Sequence, residues 1–129
     1  MHELSIAEGI IEIVERTAAA NNVGRVKKVR VAIGELAGVD IPSLEFAWVS
    51  VRKGGPAAEA ELEIERPKGE AWCLDCAKTV PLARYGDPCP FCGGYRLAAT
   101  GGTEMRVLEL IEDVPPEESG NPSESSASQ

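Results

Sequence analysis

The sequence predicts an α+β fold: two helices packed on a three-stranded, mostly antiparallel sheet, with a small zinc-ribbon-like module inserted before the last strand. Three observations predict it. Two stretches carry apolar residues at helical spacing, three alternate apolar and polar residues, and a doubled Cys-x-x-Cys falls between the second and third alternating stretches. Two amphipathic helices bury their stripes by lying together on one face of a sheet.

The elements follow in order. Residues 4–21 read as a helix, with Ile6, Ala7, Ile10, Ile11, Val14 and Ala18 on one side. Ser5 and Glu8 form an S-x-x-E capping box with Leu4 as staple, and Asn21, Asn22 and Gly24 supply the stop. With Ser5 as N-cap, residues 1–4 are expected just outside the helix, accessible and tethered. Residues 26–33 read as a strand, with Val29, Val31 and Ile33 on one face and Lys28 and Arg30 on the other. Gly34 and Gly38 punctuate a turn. The second helix covers 42–52 through Leu44, Ala47, Trp48 and Val51, with Asp40 as its cap and Pro42 in its first turn. After Gly54-Gly55-Pro56, residues 60–65 alternate, Leu62 and Ile64 inward and Glu61, Glu63 and Glu65 outward. The last strand covers 104–112, with Met105 and Val107 set against Arg106, Leu108 and Leu110. Residues 1–68 and 101–114 then form one α/β domain, 69–100 the metal-binding insert, and 115–129 a tail.

The tail, PPEESGNPSESSASQ, holds three glutamates, no base and no aliphatic side chain larger than Ala127. Such a segment buries too little apolar surface to offset the entropy of ordering, so a disordered acidic tail is expected. The net charge of the 129 residues is −8. That balance repels nucleic acid and anionic membranes unless a basic patch stands out. Arg25, Lys27, Lys28 and Arg30 are the one basic cluster, and alternating exposed positions of an edge strand account for them. No apolar run approaches the ~18–20 residues of a membrane span, and no basic start followed by an apolar run marks a signal peptide. A cytoplasmic, reducing environment is expected, where clustered cysteines more often hold metal than form disulfides.

The cysteines read Cys73-x2-Cys76, twelve residues, Cys89-x2-Cys92. Each pair presents two thiolates to one tetrahedral ion at ~2.3 Å per Zn–S bond. Pro88, Pro90, Gly93 and Gly94 around the second pair permit the tight turn that points sulfur inward. A redox Cys-x-x-C motif expects a thioredoxin-like context and needs no second pair. A rubredoxin-type iron or iron–sulfur site uses the same four ligands, and spacing does not separate it from zinc. Zinc is the reading taken. Four thiolates fill its coordination sphere, so the site is structural and supplies on the order of 10 kcal/mol of folding energy. Trp72, Phe91 and Tyr95 are expected to pack around it. A zinc-ribbon adaptor or nucleic-acid-binding module is the alternative class, but Glu70, Asp75 and Asp87 balance Lys78, Arg84 and Arg96 across the insert. An enzyme is not expected. One histidine and four committed cysteines assemble neither a Cys–His pair nor a Ser–His triad, and no P-loop is present.

Several motifs occur in a telling order: Met1-His2-Glu3, Gly34-Glu35-Leu36 followed by Val39-Asp40, Ser43-Leu44-Glu45-Phe46-Ala47, the C-x2-C-x12-C-x2-C module, and Gly102-Thr103-Glu104-Met105-Arg106-Val107. With them the chain resembles the HypA/HybF family of hydrogenase nickel-insertion proteins over residues 1–114. The resemblance implies a nickel metallochaperone that binds Ni(II) at Met1, His2 and Glu3 and delivers it to a [NiFe]-hydrogenase large subunit. In some organisms the family also serves urease. It implies a HypB-type GTPase as partner, Zn(2+) as structural metal, Ni(2+) as transient cargo, and a place for Asp40 near the nickel site beside its role as a helix cap. A monomer or weak homodimer is expected. The chemistry of the terminus agrees. The α-amino nitrogen of Met1 and the amide and imidazole nitrogens of His2 can chelate one ion, with Glu3 adding its backbone nitrogen or carboxylate. Nitrogen-rich, near-planar coordination suits Ni(II). One departure stands out: some relatives carry a histidine just after the last cysteine, where this chain has Gly93 and Gly94.

Overall fold

The computed structural model describes residues 2–114. Met1 and the tail expected at 115–129 lie outside the described residues. Helix α1 (Glu3–Ala20) is followed by strand β1 (Val26–Ile33), a single 3-10 turn (Glu35–Ala37), helix α2 (Ile41–Val51) and strand β2 (Glu61–Glu65). Strands β3 (Glu70–Cys73), β4 (Lys78–Pro81) and β5 (Leu97–Gly101) come next, and β6 (Met105–Glu112) closes the described chain.

The described residues form two three-stranded sheets, β2-β1-β6 and β4-β3-β5. In the first, β1 pairs antiparallel with β6 and parallel with β2. The parallel pair arises because α2 is the crossover between β1 and β2, and a crossover of this length returns the chain in its original direction. The two pairings of the second sheet are antiparallel. Those three strands were not read from the sequence, in which residues 69–100 stood only as a metal-binding insert.

Both helices lie over the first sheet. Ala7, Ile10, Ile11, Val14 and Ala18 of α1 and Leu44, Ala47 and Trp48 of α2 pack with Val29, Val31 and Ile33 of β1 in one core. The Trp48 indole is 2 % exposed, and its Nε1–H donates to the Ala60 carbonyl at 2.9 Å. That bond lets the ring's large apolar area be buried without stranding its polar edge. Leu62 and Ile64 of β2 pack against the same core, as their alternation predicts.

The last strand departs from simple alternation. Both Val107 and Leu110 pack on the core, although they were expected on opposite faces. Val31 faces Val107 while Arg30 faces Glu109, so one residue, Leu108, is extra on β6. This bulge resets the parity of the strand and lets both apolar residues face inward.

The basic cluster also differs from expectation. β1 is the central strand, not an edge. Its Lys28 ammonium sits 3.0 Å from Glu63, and Arg30 contacts Glu63 and Glu65 of β2 and Glu109 of β6. Glutamates of both neighbouring strands thus neutralise the cations.

The chain between β1 and α2 joins the two sheets. The Glu35 N–H donates to the Pro67 carbonyl at 2.9 Å, and the Leu36 N–H to the Gly102 carbonyl at 2.7 Å. The Glu35 carboxylate accepts from the Gly69 N–H at 2.8 Å. Arg66 donates to the Ile33 and Gly34 carbonyls at 2.6 and 3.2 Å. The Leu36 side chain leaves the main core and packs with Ala71, Leu82 and Leu97 of the cysteine module.

Candidate metal centres

Two matching turns present the cysteines. In the first, the Ala77 N–H donates to the Cys73 carbonyl at 2.8 Å, and Ala77 has φ +56°. In the second, the Gly93 N–H donates to the Cys89 carbonyl at 2.8 Å, and Gly93 has φ +73°. The residue after the last cysteine of each pair must therefore enter the left-handed region, which glycine does at no steric cost and alanine only with strain. Backbone amides point at sulfur: the Cys76 N–H lies 3.3 Å from the Cys73 Sγ, and the Phe91 N–H 3.4 Å from the Cys89 Sγ.

The four Sγ atoms all lie within 4.8 Å of one another. The Cys73–Cys92 and Cys76–Cys89 pairs are 3.7 and 3.8 Å apart. A tetrahedron of sulfurs at ~2.3 Å from one ion has edges of about 3.8 Å, so the arrangement fits a single zinc-sized ion. A cluster whose cysteines bind separate irons needs its sulfurs further apart. Four thiols this close do not all ionise by themselves. Hydrogen bonding with Cys92, then burial, pushes the Cys76 thiol up to about 12. Burial opposes ionisation of Cys89 too, but the backbone N–H groups of Cys92 and Phe91 outweigh it and bring that thiol down to about 7. A cation at the centre removes the conflict, and its binding must expel protons.

The aromatic residues do not pack around the sulfurs. Trp72, Phe91 and Tyr95 are 41, 62 and 71 % exposed. The interior holds Cys73, Val80 and Cys89, with Cys76 and Leu97 against them. Strand alternation explains Trp72, since Ala71 and Cys73 on either side of it face inward. The Lys78 ammonium lies 4.0 Å from the Phe91 ring centroid, a cation–π contact that keeps this ring at the surface.

The amino terminus is arranged differently from the expectation. Helix α1 begins at Glu3, with His2 as its N-cap residue and no side-chain capping bond. Ser5 lies inside the first turn, so the capping box with Glu8 does not form. His2 is exposed. Glu3 is only 6 % exposed, and its carboxylate accepts from the Asp40 N–H at 2.9 Å. That bond rewards starting the helix at Glu3, with His2 and not Ser5 as the N-cap residue, and folding Glu3 inward. A hydrogen bond with the chain's α-amino group, and next the Asp40 N–H, bring the Glu3 carboxyl down to about 2. Asp40 caps α2 as predicted, accepting from the Ser43 N–H at 3.2 Å and from the Ser43 hydroxyl. The fold therefore brings Glu3 and Asp40 together beside an exposed His2, and separately brings the four cysteines together.

The family model for hydrogenase/urease nickel incorporation, metallochaperone, hypA matches residues 1–111. The chain belongs to the HypA family. A hydrogenase maturation factor HypA of Rhodopseudomonas palustris strain BisB5 is 48 % identical over 113 residues, which cover 88 % of this chain and all of that protein. One from Azoarcus sp. strain BH72 is 50 % identical over 110 residues, covering 85 % of this chain and 96 % of the relative. Among solved structures, the solution structure of the Ni metallochaperone HypA from Helicobacter pylori is 31 % identical, with a TM-score of 0.60 over 87 % of this chain and 97 % of that one.

The HypA match takes in Met1, His2, Glu3, Asp40 and all four cysteines. Sequence reasoning missed the part played by Glu35, which was noted only as belonging to a shared motif. Its carboxylate is what ties the β1–α2 connection to Gly69. The signal was present, as an acidic residue in a glycine-bounded turn has backbone amides within reach.

Proposed function

We propose that this chain is a nickel metallochaperone of hydrogenase maturation, holding Ni(II) at Met1, His2 and Glu3 as cargo and Zn(II) at Cys73, Cys76, Cys89 and Cys92 as scaffold. The observation that carries the reading is the family match over residues 1–111, which starts at the proposed nickel terminus and includes the proposed zinc site. The exposure of His2 supports it, because a carrier must give up its ion to another protein. Unprotonated nitrogen donors are needed, so affinity falls as pH falls. Zinc, when bound, cross-links the two cysteine turns and leaves no coordination position for substrate. The two sites thus divide the work: one exposed and exchangeable, the other closed and structural.

The reading extends to a [NiFe]-hydrogenase large subunit as recipient, with urease as a further recipient in some settings, and to a HypB-type GTPase as partner. It assigns the chain no catalytic activity of its own, a cytoplasmic location, and a monomeric or weakly dimeric state. It treats 1–68 with 101–114 as the nickel-binding domain and 69–100 as the zinc module. Among the described residues no helix is long and apolar enough to cross a membrane. The nucleic-acid alternative loses support from the ion pairs. Arg96 and Arg84 are engaged by Asp75 and Asp87, at 3.0 and 4.0 Å, and Lys78 covers Phe91.

The test is a nickel titration of untagged protein with its native Met1, repeated on His2→Ala, with zinc content followed in parallel. One nickel per chain, lost on substitution while zinc is retained, is the expected result. Nickel binding that survives His2→Ala, or that displaces zinc, would overturn the reading.

A further inference from the structure

Glu3 is the one charged side chain among the described residues that is more than nine-tenths buried. Burying a carboxylate is costly unless its oxygens are engaged, so what Glu3 engages shows what the burial achieves. Among its partners is the N–H of Asp40, the N-cap residue of α2. In a capping box, this N–H is taken by a glutamate or glutamine three residues into the same helix. Here that position is Ser43, whose short side chain is turned to the Asp40 carboxylate instead. Glu3, from the first turn of α1, supplies the missing half of the box from another helix. Asp40 and Glu3 thus satisfy two of the donors that the start of α2 leaves open.

We infer that Glu3 is a positioning residue for nickel and not a carboxylate ligand: it clamps the first turn of α1 to the start of α2 and so fixes where His2 stands. The inference rests on the proposed nickel terminus. Two observations support it. Helix α1 has no side-chain capping bond at its N-cap residue His2, so the Glu3–Asp40 bond supplies a side-chain tie that the cap does not. The backbone bond that reaches His2 from the helix, Ile6 N–H to the His2 carbonyl at 3.0 Å, lies one residue from the Glu3 anchor. A helix start without such ties frays, and a frayed start lets the amide and imidazole of His2 drift apart. Groups that orient metal ligands without touching the metal are typically worth ~10–100-fold in affinity.

Glu3→Gln and Glu3→Ala separate the roles, because glutamine keeps an oxygen that accepts the Asp40 N–H but gives up the carboxylate. Nickel affinity and the d–d absorption band are read on wild type, both variants and His2→Ala, with zinc content and thermal melting as controls. The expected result is that Glu3→Gln binds within ~3-fold of wild type with an unchanged band, while Glu3→Ala loses ~10-fold or more. A shifted band and equal losses in both variants would make the carboxylate a ligand and overturn the inference. Full binding by Glu3→Ala would overturn it by showing that nothing needs clamping. Should Glu3→Ala fold poorly, Glu3→Gln alone decides: retained affinity and band support positioning, and their loss refutes it. Failure of the nickel reading itself is seen separately, as binding that His2→Ala leaves intact.

Discussion

Gly34 and Gly102 cross so closely that a Cβ on Gly34 would lie 2.0 Å from the Gly102 carbonyl oxygen and 2.2 Å from its carbonyl carbon. Gly102 itself has φ +86°, and a Cβ there would meet the Gly69 Cα at 2.5 Å. The obstacles are backbone atoms, which cannot swing away as a side-chain tip can.

Gly34→Ala is therefore expected to lower stability by about 1–3 kcal/mol or more, through forced separation of the crossing segments. Gly9→Ala is the contrast. It sits within α1, has no atom within 4 Å of the added methyl, and is expected to gain about 1 kcal/mol from helix propensity. Chemical unfolding of the zinc-loaded variants checks both, and equal effects would show that the crossing is slack.

Asp40→Ala removes the cap of α2, which is expected to cost about 1 kcal/mol of stability. Asp40→Asn keeps an acceptor and should recover most of it. Nickel affinity is expected to stay within ~3-fold for both, because Asp40 serves Glu3 through its backbone N–H, which substitution leaves in place. A larger loss of nickel in Asp40→Ala than in Asp40→Asn would mark its carboxylate as part of the nickel site.

Cys76→Ser breaks a sulfur cluster in which each atom has neighbours at bonding-sphere distance. Zinc is expected to be lost from the purified protein. Amide exchange should rise through β3, β4 and β5 while β1 and α1 remain protected, since the helices and the first sheet have their own core. Zinc analysis and hydrogen exchange measure this. Uniform deprotection of the whole chain would mean that the two sheets unfold as one unit.

The Glu63 carboxyl is held below the ordinary carboxylate range, first by its hydrogen bond from Lys28. Its contribution to stability is therefore complete above its unfolded value, about pH 4.3, and is lost as pH falls through the lowered folded value. The same bond raises Lys28, whose share is complete below about pH 10.4 and is lost as pH rises past its raised value. Glu63→Gln should melt below wild type near neutral pH and converge with it in acid, where both side chains are neutral. Added salt should narrow the neutral-pH difference, because the pair is only partly sheltered. A gap that persists in acid would assign the effect to packing.

The periodic parts of the fold were readable in the sequence. The stripes of α1 and α2 and the alternation of β1 and β2 each depend on local spacing, and Asp40 and Pro42 mark the start of α2. The cysteine spacing announced the cluster that the structure assembles. What was not readable depended on partners far along the chain. The start of α1 was misplaced because Ser5 offers a good local cap, and the competing bond from Asp40 lies 37 positions away. The inward turn of Leu110 depends on a bulge that shows only against the register of β1. Arg30 looked like an edge-strand charge because the glutamates that surround it come from strands 33 to 79 positions distant. The aromatics of the cysteine module were expected to pack around the sulfurs, whereas Trp72 follows strand parity and points out.

The crossing at Gly69 and Gly102 has a consequence for how such a chain can evolve. The polypeptide leaves the first sheet after β2 and comes back to it before β6 through a single doorway, where the two backbones touch. Everything beyond that doorway can grow, shrink or be exchanged without changing the distance that the parent fold has to span. The cysteine module is in this sense a replaceable cassette, and the glycines at its hinge line are what any substitute would have to keep.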